Sequence, residues 1–130
     1  MVNHRLNYMR FTLAVIFSAF AVVLTHLPES AIPFRLEVNG FDKLAHALAY
    51  GVITFLFLLS FKTSFTLRSV MLLLFAIISG GAMDELTQPL FIRIASLDDW
   101  LANIVGIIVA LYAFLFFGRL RRRTSVNAGI

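Results

Sequence analysis

The sequence predicts an all-α fold, a four-helix bundle whose helices each cross a membrane. Three observations carry that prediction. Hydrophobic residues make up 60% of the 130 positions and the mean hydropathy is +0.89, well above the roughly half-apolar composition of a water-soluble domain. Four apolar stretches approach the roughly 20 helical residues that a hydrocarbon layer about 30 Å thick requires. Finally, lysine and arginine are distributed unequally between the two ends of those stretches. A chain of this length supports one domain, residues 1–130, and must find lipid for apolar surface it cannot bury in itself.

The spans fall at about 11–27, 43–61, 69–88 and 99–118. The first follows Arg5 and Arg10 and is broken by Pro28 and Pro33; its long apolar run, with no small-residue cleavage site after it, reads as a retained anchor rather than a signal peptide. The second ends at the polar turn from Lys62 to Arg68. Pro89 closes the third. The fourth leads into a basic tail, residues 119–130, carrying Arg119, Arg121, Arg122 and Arg123. No internal repeat is present.

Composition also excludes functions. There is no cysteine, so disulfides, thiolate metal sites and cysteine nucleophiles are ruled out. The sequence pI near 10.1 does not point to nucleic acid, because the basic residues cluster at the ends of apolar segments instead of lining one polar face.

Orientation follows from the same cations, since short cytoplasmic loops and tails carry the excess of lysine and arginine. Arg5, Arg10, Lys62, Arg68, Arg119, Arg121, Arg122 and Arg123 fall on one side of the spans; Arg35, Lys43 and Arg93 fall on the other, together with all seven acids, Glu29, Glu37, Asp42, Asp84, Glu85, Asp98 and Asp99. The expected topology places both termini in the cytoplasm and the acidic side on the opposite face of the membrane. The tail would rest on anionic headgroups, each charge contributing about 1 kcal/mol.

The polar residues inside the spans are the candidate site. Asp42, His46 and Tyr50 follow i, i+4, i+8 spacing, one stripe descending about 12 Å along the second helix. Gly80, Asp84 and Gln88 repeat it on the third, with Glu85 one step round. Asp99, Asn103 and Gly106 form the stripe of the fourth. An ionised group facing lipid at a helix centre costs about 2 to 3 kcal/mol, so the three stripes should face one another. The expectation is one connected cluster of Asp42, His46, Asp84, Glu85, Arg93, Asp99 and Asn103, with His46 turned toward the third span and Arg93 within hydrogen-bonding reach of Asp84 or Glu85. Lys43 is a second candidate cation for those acids.

Simpler roles compete for several of these residues. Asp42 can cap its helix, and Ser96 with Asp99 fits a capping box at the start of the fourth span. Gln88 and Asn103 can act as interhelical hydrogen-bonding glue. Ser79, Gly80, Gly81 and Ala82 read as a close-packing patch. Asp42, His46, Asp84 and Glu85 have the donor types for a hard cation, but their spacing matches no metal motif, so no metal and no cofactor is assigned.

Three ordered motifs, Asp42-Lys43-x-x-His46-x-x-x-Tyr50, Asp84-Glu85-x-x-Gln88 and Arg93-x-x-Ser96-x-x-Asp99-x-x-x-Asn103-x-x-Gly106, resemble the VanZ-like family of membrane proteins across about residues 24–110. That family takes its name from a protein associated with resistance to the glycopeptide teicoplanin. The chain departs from the family pattern at Ala47, where an aromatic residue is common, and at Phe91-Ile92, where a Pro-Gly pair is common. The resemblance implies an outward-facing polar site in a multi-pass membrane protein. Two functions fit the inventory. One is a module that binds or modulates a cell-envelope component, a lipid headgroup or cell-wall precursor, through Asp42, Lys43, His46, Tyr50, Asp84, Glu85, Gln88, Arg93, Asp99 and Asn103. The alternative is an intramembrane acid-base enzyme acting on a lipid-linked or phosphorylated substrate, with His46, Asp42, Asp84 and Glu85 as candidate catalytic groups.

Overall fold

A computed structural model of the chain describes residues 6–27, 40–61, 66–91 and 93–127, with side chains to Arg119. Pro28, Glu29, Pro33, Arg35, Glu37, Arg5 and Lys62, and the side chains of Arg121, Arg122 and Arg123, lie outside the described residues. Four helices run in sequence: α1, Tyr8–His26; α2, Phe41–Ser60; α3, Leu67–Thr87; and α4, Leu97–Asn127. A short 3₁₀ helix, Gln88–Phe91, carries Pro89 and finishes the third span. The apolar helical segments of 19 to 25 residues rise about 28 to 37 Å at 1.5 Å per residue, enough to cross a bilayer. The molecule is a multi-pass membrane protein.

The helix starts are set by local chemistry. Asn7 caps α1, its side chain accepting from the Arg10 N–H at 3.3 Å, and Thr66 caps α3 by accepting from the Ser69 N–H at 3.2 Å. Gly40 precedes α2 with φ +90°, a left-handed turn that favours glycine. Ser96 caps α4, accepting from the Asp99 N–H at 3.3 Å. Each helix begins two or three residues before the expected span. The largest difference is at the other end of α4, whose backbone stays helical to Asn127, so the basic tail continues the helix.

The central pair is α2 and α4, with α1 against α2 and α3 chiefly against α4. Small residues make that pairing close. A Cβ added at Gly106 would collide with the Ala47 carbonyl oxygen, and one added at Gly51 would stand 3.2 Å from the Gly106 carbonyl oxygen. Gly81 plays the same part on α3, where a Cβ would stand 3.1 Å from the Tyr50 ring and 3.3 Å from the Asn103 amide nitrogen. Gly80 faces open space, so only half of the expected glycine patch is a packing surface. Ala21, Tyr50, Ile53, Ile77 and Ile107 form the buried apolar core.

Most of the remaining apolar surface points outward. Ile16, Phe20, Val23, Leu72, Phe75, Val105, Val109, Phe116 and Phe117 are all exposed. No more than a third of any span is buried within the bundle, so lipid solvates the rest. The consecutive helices run up and down, which brings the end of α1, the start of α2, the end of α3 and the start of α4 to one end of the bundle.

Candidate functional site

That end collects the polar residues. His46 and Tyr50 from α2, Asp84 and Glu85 from α3, Gln88 just beyond it, and Asp99 and Asn103 from α4 are all buried. Asp42 and Lys43 are exposed on the first turn of α2, and Arg93, in the connection before α4, is half-buried. The groups form two layers.

In the inner layer the carboxylates of Asp84 and Glu85 have different hydrogen-bond partners. Asp84 Oδ1 accepts from the Thr25 hydroxyl at 2.8 Å and lies 3.4 Å from His26 Nδ1, while its Oδ2 receives the Tyr50 hydroxyl at 3.4 Å. Glu85 Oε2 accepts from the Ser96 N–H at 3.3 Å, and Oε1 stands 3.5 Å from His46 Nδ1. The same imidazole nitrogen is 3.1 Å from Asn103 Oδ1. His46 therefore meets the third and fourth helices together.

The outer layer is a ring of ion pairs. Arg93 Nη2 lies 3.8 Å from Asp42, and its Nη1 donates to the Leu27 carbonyl at 3.3 Å. Lys43 Nζ lies 3.7 Å from Asp98 and 3.6 Å from Asp99. These pairs are partly solvated, so each contributes little, about 1 kcal/mol or less. The layers join through His46, whose ring comes within 4.8 Å of the carboxylate oxygens of both Asp42 and Asp99.

Three expectations need correction. Arg93 pairs with Asp42 and the Leu27 carbonyl rather than with Asp84 or Glu85, because its position before α4 holds it at the mouth while those acids lie a turn deeper. The capping box at Ser96 is also only half formed within α4. Ser96 receives the Asp99 N–H, but the Ser96 N–H goes to Glu85 across the bundle, which leaves Asp99 to Lys43. Asp42 lies inside the first turn of α2, beyond its cap Gly40. Gln88 is buried at this end, and its side-chain nitrogen makes no hydrogen bond.

The first helix supplies residues that the sequence reading omits. Thr25 bonds Asp84 directly; His26 Nδ1 meets the Val22 carbonyl at 2.8 Å, Nε2 meets the Thr87 hydroxyl at 2.9 Å, and the ring packs edge-on against Phe91. A signal for His26 was present: an ionisable residue in the last turn of an apolar span, at the acid-rich end, is a site candidate by default.

Glu85 Oε1, Gln88 Nε2, Asp99 Oδ1 and Asn103 Nδ2 are buried and make no hydrogen bond within the protein. Each such atom costs about 1 to 3 kcal/mol if nothing else satisfies it, so the cluster favours a bound polar or charged group. Chemically it offers an imidazole between a carboxylate and an amide, with two cations at the mouth. Comparison with protein-family models, curated proteins and solved structures finds no match for the chain.

Proposed function

We propose that this chain is a VanZ-like protein of the bacterial cytoplasmic membrane, and that its pocket opens outward and binds an anionic cell-envelope component, a lipid headgroup or a cell-wall precursor. The observation that carries this reading is the layered polar cluster: Arg93 and Lys43 stand at its outer edge, and the buried amide nitrogens of Gln88 and Asn103, donors without a hydrogen bond in the protein, lie beneath them. The cation asymmetry supports the outward orientation, since the pocket lies at the acid-rich end. The three ordered motifs that resemble the VanZ-like family all contribute to this cluster. An anion entering the mouth would meet Arg93 and Lys43 and exchange places with Asp42, Asp98 and Asp99, whose pairings are weak enough to be displaced.

The test is native mass spectrometry of the protein released from nanodiscs that contain phosphatidylglycerol and phosphatidylcholine. Saturable retention of phosphatidylglycerol, reduced at least about tenfold when Arg93→Gln and Lys43→Gln are combined, is the expected result. Equal retention of both lipids, or retention indifferent to the two substitutions, would overturn the reading.

A second reading has its own observation. His46 is held between Glu85 and Asn103, the geometry of a general base with an orienting partner. If His46→Gln abolishes turnover of a lipid-linked phosphate substrate and leaves headgroup retention intact, the pocket is that of an enzyme; with no turnover in the native protein it is a binding module.

A further inference from the structure

We infer that His46, Asp84 and Glu85 form a binding site for one divalent metal ion at the buried floor of the pocket. Their donor atoms all lie within 4.8 Å of one another, and all three side chains are buried. Ligands about 2.1 Å from a tetrahedral ion stand about 3.4 Å apart, close to the 3.5 Å between His46 Nδ1 and Glu85 Oε1. That Glu85 oxygen makes no hydrogen bond, and the one bond of the imidazole nitrogen beside it, 3.1 Å to Asn103 Oδ1, would be given up to the ion, the Asn103 amide being free to turn because its Nδ2 makes no hydrogen bond.

Charge leads to the same place. At the mouth, Asp42 faces Arg93, while Asp98 and Asp99 face Lys43. On the floor two adjacent carboxylates face only neutral donors and imidazoles: Thr25, Tyr50 and the Ser96 N–H, with His26 and His46. Among the described residues neither carboxylate is paired with a lysine or arginine. A dication would supply the missing countercharge in a medium too apolar to screen it. The donor bonds from Thr25, Tyr50 and Ser96 would then serve as the outer shell that orients ligating carboxylates.

Asp42, His46 and Asp99 form a second group of the same size, but Asp42 is exposed and both acids already have cationic partners. The floor is therefore the stronger site. One imidazole with two carboxylates suits Zn²⁺ or Mn²⁺ better than Mg²⁺ or Ca²⁺, which favour all-oxygen ligands. The site stands without the headgroup reading; that the ion would in turn receive a phosphate oxygen rests on that reading.

The experiment uses the full chain without an affinity tag containing histidine, in uncharged detergent and free of added lipid, stripped by chelator and equilibrated with Zn²⁺ or Mn²⁺ alone. Bound metal is counted by mass spectrometry and affinity is measured by calorimetry. One ion per chain is expected, weakened at least about 100-fold by His46→Gln or Glu85→Gln and within about threefold of native for Asp42→Asn. Bound Mn²⁺ in the native chain should show electron spin echo coupling to an imidazole nitrogen, a readout that needs no variant to fold. Substoichiometric metal, absent nitrogen coupling, affinity unchanged in Glu85→Gln, or loss with Asp42→Asn but not Asp84→Asn would each overturn the assignment. Because no lipid is present, failure here leaves the headgroup reading intact, and failure to retain phosphatidylglycerol leaves the metal site intact.

Discussion

The two ends of the bundle satisfy their polar groups in opposite ways. At the basic end, Thr54 and Ser60 are buried, yet each hydroxyl bonds the carbonyl one turn back in its own helix, Tyr50 and Leu56 respectively. Arg10 reaches the Leu59 carbonyl at 3.2 Å where α2 ends, and Arg68 is exposed. At the acid-rich end the polar groups reach across the bundle: Thr25 to Asp84, His46 to Asn103, Tyr50 to Asp84 and Ser96 to Glu85. A hydroxyl satisfied within its own helix is indifferent to which helix lies beside it. A carboxylate bonded from another helix depends on that helix's rotation and height, so the buried side-chain geometry of the acid-rich end is set by tertiary contacts.

The largest effect expected of that comparison is all-or-none, and it concerns which end faces outward. The chain has no cysteine, so single cysteines are clean reporters. Ile94→Cys, at the acid-rich end, should react with an impermeant maleimide on intact cells, and Leu67→Cys, at the basic end, should react only after lysis. Both positions are highly exposed. The reverse labelling pattern would invert the topology and place the pocket in the cytoplasm.

Next in size is the close approach that sets the height of α2 against α4. Gly106→Ala must push the helices apart, because its methyl would strike the Ala47 carbonyl and backbone cannot move aside as a side chain can. A loss of about 3 kcal/mol, the upper end for overpacking, is expected, read as reversible unfolding in mixed detergent. Gly80→Ala is the control. It meets open space and replaces glycine by a better helix former, so it should be neutral or stabilising by up to about 1 kcal/mol. Equal behaviour of the two variants would remove close packing as the device that aligns the pocket.

The smallest effect concerns one bond between α1 and α3. Thr25→Val keeps the shape of the side chain and removes the donor to Asp84, at an expected loss of about 1.5 to 3 kcal/mol for a hydrogen bond to a charged group. In an Asp84→Asn background the same substitution should lose markedly less, since the two residues share one interaction. Additive losses would show that Thr25 acts by packing alone. Tyr50→Phe, whose bond to Asp84 is long at 3.4 Å, should fall below Thr25→Val in the same assay.

The sequence by itself determined the number of spans, their approximate limits and the separation of charge between the two ends. Those properties are one-dimensional: hydropathy summed along 20 residues decides whether a helix can cross lipid, and the count of cations beside it needs no partner to be known. It also picked out His46, Asp84, Glu85 and Asn103 as inward-facing, because an ionisable group in an apolar helix has few affordable places to point. Only the tertiary structure decided which of them touch. Arg93 stands beside Asp42 and not a turn deeper, Glu85 takes the N–H that an isolated capping box would give to Asp99, and α1 enters the site through Thr25 and His26. Each of those choices depends on how far one helix is rotated and raised against the next. That rotation and height come from contacts such as Gly106 on Ala47 and Gly81 on Tyr50, between residues far apart in sequence, and no periodicity along a single helix encodes them.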